Sequence, residues 1–166
     1  MDTAVHFTTV LMAFFAIMNP IANTPLFLGL TEGLDGATRN RVALRGVLLA
    51  FAIVAAFAVA GRAIFDLFGI TLPAFRIAGG LLVALVGYHM LQGEASSVHA
   101  PAEGDVEGSR DAALDLAVSP LALPVLAGPG TIATAMNFAA ESTLPEVTRV
   151  VSAFAVVCLF TWLAFR

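Results

Sequence analysis

Lysine is absent: all eight basic residues among the 166 are arginine, and charged residues of both signs make up only 12% of the chain. Soluble domains carry roughly 25%, so a solvated globular surface is excluded. The all-arginine set reads as compositional bias and carries no functional weight. Cysteine is nearly absent too, and Cys158, inside a late apolar run, excludes an intramolecular disulfide, a multi-cysteine metal site and disulfide-relay chemistry. No His-Glu-x-x-His or Gly-x-Ser-x-Gly occurs, which removes the zinc-protease and serine-hydrolase signatures. His6 and His89 fall at the edges of apolar runs, as interfacial residues do. The chain reads as a non-enzyme with no implied cofactor. Its opening residues, Met1 to His6, lack the positive region of a secretory signal, so the first apolar run is expected to remain in the mature protein.

What the chain has instead is hydrocarbon. Hydrophobic residues make up 59% of it, with a mean hydropathy of +0.91. Apolar runs occupy about Ala4–Leu30, Val42–Ala60, Ala74–Leu91, Ala112–Ala140 and Val147–Phe165. Each is long enough for a helix to cross roughly 30 Å of bilayer core. The connection over 93–111 holds Glu94, Glu103, Asp105, Glu107 and Asp111 among small residues and supplies most of the net charge of -4. It is expected to be a flexible solvated loop. Gly80, Ala84 and Gly87 share one face of the third run, a spacing that permits close helix contact. Arginine counts favour an outside N-terminus: the inner connections then hold Arg39, Arg41, Arg45, Arg110 and Arg166, against Arg62, Arg76 and Arg149 outside.

Two of the runs are interrupted. Met18-Asn19-Pro20-Ile21-Ala22-Asn23-Thr24-Pro25 places two prolines and two asparagines within the first, and Ser119-Pro120 through Gly128-Pro129-Gly130-Thr131 places prolines, glycines and hydroxyls within the fourth. Proline removes a backbone donor and clashes with the carbonyl one turn earlier, freeing polar groups that lipid cannot satisfy. Paired breaks in corresponding segments point to a transporter's binding site.

The fold expected is an all-α polytopic membrane bundle forming one transmembrane domain over 1–166. It is read as an inverted-topology repeat with broken first and fourth segments: repeat one over about 4–92, the acidic loop over 93–111, and a partial repeat two over about 112–166. Three spans per repeat is an odd number, so the copies must be inverted. The same logic expects a sixth helix, and its absence reads as truncation rather than as a natural five-span product. Whether the first and fourth segments span or re-enter is left open at this stage.

Met18 to Phe27, Phe75-Arg76-Ile77-Ala78-Gly79-Gly80 and Pro120 to Thr131 together resemble the MarC-related integral membrane proteins, also grouped as six-span neutral amino acid transporters. The resemblance implies an inner-membrane (plasma-membrane), multi-pass protein related to the lysine-exporter group, with small neutral amino acids such as glycine or alanine as substrates. A zwitterion needs donors for its carboxylate and acceptors for its ammonium, and the exposed ends of broken helices offer both. The expected substrate-binding residues are Asn19, Pro20, Asn23 and Thr24 at the first break, Gly128, Pro129, Gly130, Thr131 and Thr134 at the second, and Arg76. The competing assignment makes Asn19 and Asn23 mere satisfiers of backbone groups freed by Pro20 and Pro25, Thr131 and Thr134 bonders of their own helix, and Arg76 an interfacial cation. Expected partners are the bilayer and a small neutral solute, with no nucleic acid, and with self-association through any face that a missing helix leaves bare. The leading function is a transporter or exporter working by alternating access at mid-depth. The alternative is a structural or assembly membrane protein that transports nothing.

Overall fold

A computed structural model describes residues 3–91, 126–139 and 143–166. All elements found there are helices, the outcome required where hydrocarbon offers no partner to an unpaired N–H or carbonyl. They are α1 (Thr3–Met18), α2 (Pro20–Leu30), α3 (Gly36–Phe68), α4 (Leu72–Leu91), α5 (Pro129–Ala139) and α6 (Leu144–Phe165). Three helical stretches are long and apolar enough to cross a membrane: Phe7–Leu30 with 24 residues, Gly36–Gly61 with 26 and Leu144–Phe165 with 22. The acidic connection over 93–111, and Pro120 and Pro124 of the second interruption, lie outside the described residues.

Helix α3 is longer at both ends than the Val42–Ala60 span that hydropathy marks out. Its 33 residues extend about 50 Å at 1.5 Å per residue, so its termini project beyond the hydrocarbon. Caps, not hydropathy, set those termini. Asp35 accepts hydrogen bonds from the N–H groups of Ala37 and Thr38, both at 3.1 Å. Gly69, at φ 64°, turns the chain out of the helix while Ile70 N–H reaches back to the Phe65 carbonyl at 2.9 Å. Arg39, Arg41 and Arg45 therefore lie in the opening turns and Arg62 and Asp66 in the closing ones, as arginine's good helix propensity allows. Helix α6 begins where Glu146 accepts from both the N–H and the hydroxyl of Thr143, at 2.8 and 3.0 Å.

Helix α6 is the hub, packing against α1, α2, α3 and α5. Phe154 on α6 sits 4.8 Å from Phe14 and 6.3 Å from Phe51, centroid to centroid. Further along, Phe27 and Phe165 stack at 4.3 Å with their planes 7° apart. Phe14, Phe27, Phe154 and Phe165 are all fully buried. Outward positions are just as apolar: Val59 is 71% exposed and Leu163 54%. In a bilayer those faces meet lipid, so core stability comes from close packing more than from escape from water.

Helix α4 leans on α5. A Cβ built on Gly79 would stand 3.3 Å from the Ala133 methyl, whereas one on Gly80 meets nothing within 4 Å. Ala84 is exposed. The close approach thus runs through Gly79, one residue away from the Gly80, Ala84 stripe expected from spacing, and Phe75 anchors it against Phe65 at 4.9 Å. A one-residue step turns a helical position by about 100°, enough to move it off the contact.

Phe14→Ala should destabilise the bundle by about 2 kcal/mol, below the usual soluble-core figure because lipid tails are as apolar as the site. Val59→Ala should be nearly silent. Melting curves of both variants in the same detergent check this. Asp35 titrates below its ordinary 3.8, held down by hydrogen bonds from the Thr38 side chain, then its backbone N–H, and from Ala37. The cap is therefore fully charged above that ordinary value and is lost only as pH falls through the lowered one. A carbon-13 titration of the Asp35 carboxyl should place its midpoint under 3.8.

Candidate functional site

Pro20 has no N–H to donate, and beside it side-chain amides bond the main chain where α1 meets α2. Asn19 takes a left-handed backbone, φ 43° and ψ 66°, and caps α2: its Oδ1 accepts from the Ala22 N–H at 3.3 Å. Asparagine tolerates this conformation better than most residues because its short polar side chain bonds locally. Asn23 donates through Nδ2 to the Met18 carbonyl at 2.6 Å, and Thr24 donates its hydroxyl to the Pro20 carbonyl at 2.8 Å. Main-chain bonds flank the junction: Asn19 N–H closes α1 on the Phe15 carbonyl at 2.9 Å, and Asn23 N–H opens α2 on the Asn19 carbonyl at 3.1 Å.

At the second interruption Leu126, Ala127 and Gly128 are buried, and α5 starts at Pro129, where a missing N–H does no harm. Ile132 N–H bonds the Gly128 carbonyl at 3.1 Å. Thr131 is buried, and Thr134 donates its hydroxyl to the Gly130 carbonyl at 2.8 Å. Met18, Leu126 and Ala127 belong to one continuous core, so both interruptions border the same packed interior.

Between α1, α4 and α5 lies an open cavity of about 360 Å³. Its α1 wall is Ala13, Ala16 and Ile17, ending two residues before Asn19; its α4 wall is Phe75, Gly79 and Gly80. Helix α5 contributes Ala133, Thr134, Asn137 and Phe138. At roughly 30 Å³ per water this is room for about a dozen waters, at the small end of ligand pockets. The walls are mainly small and apolar, with one hydroxyl and one amide facing in from successive turns of α5.

Of the residues expected to bind, Thr134 lines this cavity. Asn19, Pro20, Asn23, Thr24, Gly128, Pro129, Gly130 and Thr131 stand next to it along the chain, at the two interruptions, and are not in its wall. Arg76 lies on α4 one turn before Gly80, and its side chain is outside the described residues. Asn137 and Gly80 are cavity residues that sequence reasoning passed over as binding groups. The signal for Asn137 was available: it is an amide within the apolar stretch Ile132 to Ala139, three residues after Thr134. Among the described residues no three histidine, cysteine or acidic side chains gather as metal ligands do.

Comparison with known proteins places these residues in company. The profile described as MarC family integral membrane protein matches residues 4–166. A Bacillus subtilis protein named UPF0056 membrane protein YvbG is 40% identical over 158 residues, covering 95% of this chain and 74% of the relative. The Escherichia coli O157:H7 protein named UPF0056 inner membrane protein MarC is 40% identical over 131 residues, covering 78% of this chain. The matched part is 59% of that relative, so the chain spans about three fifths of its length. No solved structure matches.

The bonding at the first interruption predicts two different mutational outcomes. Asn23→Ala leaves the Met18 carbonyl without its amide donor and should lower stability by about 1–2 kcal/mol. Asn19→Gly, which accepts the left-handed backbone, should lose only a few tenths of a kcal/mol, whereas Asn19→Val loses both cap and conformation, about 2 kcal/mol. Equilibrium unfolding in mixed detergent micelles measures all three.

Proposed function

The chain belongs to the MarC family of integral membrane proteins, and on that premise we propose that it takes part in moving small neutral amino acids, of glycine or alanine size, across the inner membrane. The cavity between α1, α4 and α5 carries the reading. It is small, walled by alanine and glycine, and offers Thr134 and Asn137 on one helix face, beside two points where helices are interrupted. Thr134 donates to Gly130 and keeps oxygen lone pairs with which to accept from an ammonium. Transporters place substrates beside such interrupted helices, where main-chain groups lie close at hand. Rocking of the α1–α2 unit about Asn19 would expose the cavity to alternate sides. The arginine count favours an outside N-terminus, which would set the arginine-rich start of α3 on the inner side.

A second reading has its own observation. Asn23, Thr24 and Thr134 each donate to the main chain of their own segment, which is what a structural or assembly protein with no substrate would also need. Flux separates the two.

Purified protein reconstituted in liposomes should exchange radiolabelled glycine or alanine above empty vesicles. Gly80→Leu, whose side chain enters open space, should abolish flux at least tenfold while leaving the melting temperature within a few degrees. Flux equal to empty vesicles across a panel of amino acids supports the structural reading instead.

A further inference from the structure

Where the start of α3 meets the end of α6, three buried polar atoms have no hydrogen-bond partner: Arg39 Nε, Asn40 Oδ1 and Trp162 Nε1. Buried polar groups are almost always paired, so each unpaired one asks for an explanation. These three share a neighbourhood. A second cavity, of about 280 Å³, is lined by Gly36, Ala37, Arg39 and Asn40 of the α3 start and by Phe165 and Arg166 at the α6 end. The Arg166 guanidinium lies 5.5 Å from the centre of the Trp162 ring, one turn before it on α6. Two further cations, Arg41 and Arg45, are exposed on the same opening turns of α3, and the nearby Asp35 is engaged as the helix cap.

We infer that this cavity is a binding site for the headgroup of a glycerophospholipid that carries a hydrogen-bond donor beside its phosphate, such as phosphatidylglycerol or phosphatidylethanolamine. Chemistry selects the ligand. Arg39 Nε is a donor and, with the Arg166 guanidinium, calls for an anionic acceptor, which a phosphodiester supplies in charge-assisted bonds. Asn40 Oδ1 is an acceptor, which no bare anion satisfies; a headgroup hydroxyl or ammonium a few bonds from the phosphate does. The positive end of α3 adds to the attraction for phosphate. Position selects the source: α3 reads as membrane-crossing and starts here, at the depth where headgroups lie and where tryptophan and arginine anchor membrane proteins. At roughly 30 Å³ per water, the space equals about nine waters, enough for a headgroup and not for a whole lipid. The site is independent of the transport reading and stands or falls separately.

Native mass spectrometry of the detergent-solubilised protein, titrated in turn with phosphatidylglycerol, phosphatidylethanolamine and phosphatidylcholine, tests it. The first two lipids should be retained in preference to phosphatidylcholine, which has a phosphate and no donor. Arg39→Gln should weaken retention of all three about tenfold, the value of one lost charge-assisted contact. Asn40→Leu should remove only the preference over phosphatidylcholine. Arg45→Gln, on the same helix and away from the cavity, should change neither. Equal loss in Arg39→Gln and Arg45→Gln would mean a diffuse basic surface and would overturn the site, as would unchanged retention in Arg39→Gln. Displacement of phosphatidylglycerol by millimolar inorganic phosphate would assign the cavity to soluble phosphate and overturn the lipid assignment. Should Arg39→Gln fail to fold, the lipid ratio measured on Asn40→Leu decides alone: an unchanged ratio defeats the proposal and a lost one upholds it.

Discussion

A peptide group inside hydrocarbon must find its partner within the protein, and this requirement organises the molecule from Asn19 outward. Pro20 takes a donor out of a segment that has no water to turn to. Beside it Asn19, Asn23 and Thr24 bond the main chain locally, at the Ala22 N–H and at the Met18 and Pro20 carbonyls, each within five residues. Helix α6 holds the helices on both sides of this junction. Phe14 and Phe15 on α1 pack on Phe154 and Phe160 of α6, and Phe27 on α2 packs on Phe165 of the same helix. A single helix, α6, therefore packs against both α1 and α2.

The cavity wall formed by Ala13, Ala16 and Ile17 ends just before the Asn19 junction, and across from it lie Gly79, Gly80 and Thr134. The glycines matter in different ways. Gly79 lets α4 approach Ala133 to near contact, while Gly80 leaves volume unfilled. Closeness at one residue and emptiness at the next produce a cavity with a tight rim.

Much of this was legible in the residues. The all-helical membrane architecture follows from composition, and the interruption at Asn19-Pro20 follows from proline's missing donor. The start of α5 at Pro129 has the same origin. Other features were hidden for definite reasons. The extent of α3 was misread because hydropathy reports where lipid is, whereas Asp35 and Gly69 report where the helix ends. Gly79 could not be separated from Gly80 without knowing the phase of α4 against α5, a tertiary fact. Asn137 was overlooked because attention stayed on prolines, although an amide in an apolar helix is itself a signal. The grouping of Arg39, Asn40, Trp162 and Arg166 joins positions more than 120 apart in the sequence, and no local pattern announces such a meeting.

Side chains already bonded to their own backbone are inexpensive to bury and make only moderate ligands, since part of their capacity is taken. For a storage or sensing protein that would be a defect. A site on a transport path has the opposite need, because a solute held too tightly does not leave. Thr134 illustrates the arrangement: its proton is committed to the Gly130 carbonyl, and its oxygen keeps lone pairs. The same bond that makes α5 stable in lipid thus orients a weak acceptor toward the cavity. Bonding of these hydroxyls and amides to their own backbone is what hydrocarbon demands of them, whether or not a ligand also meets them.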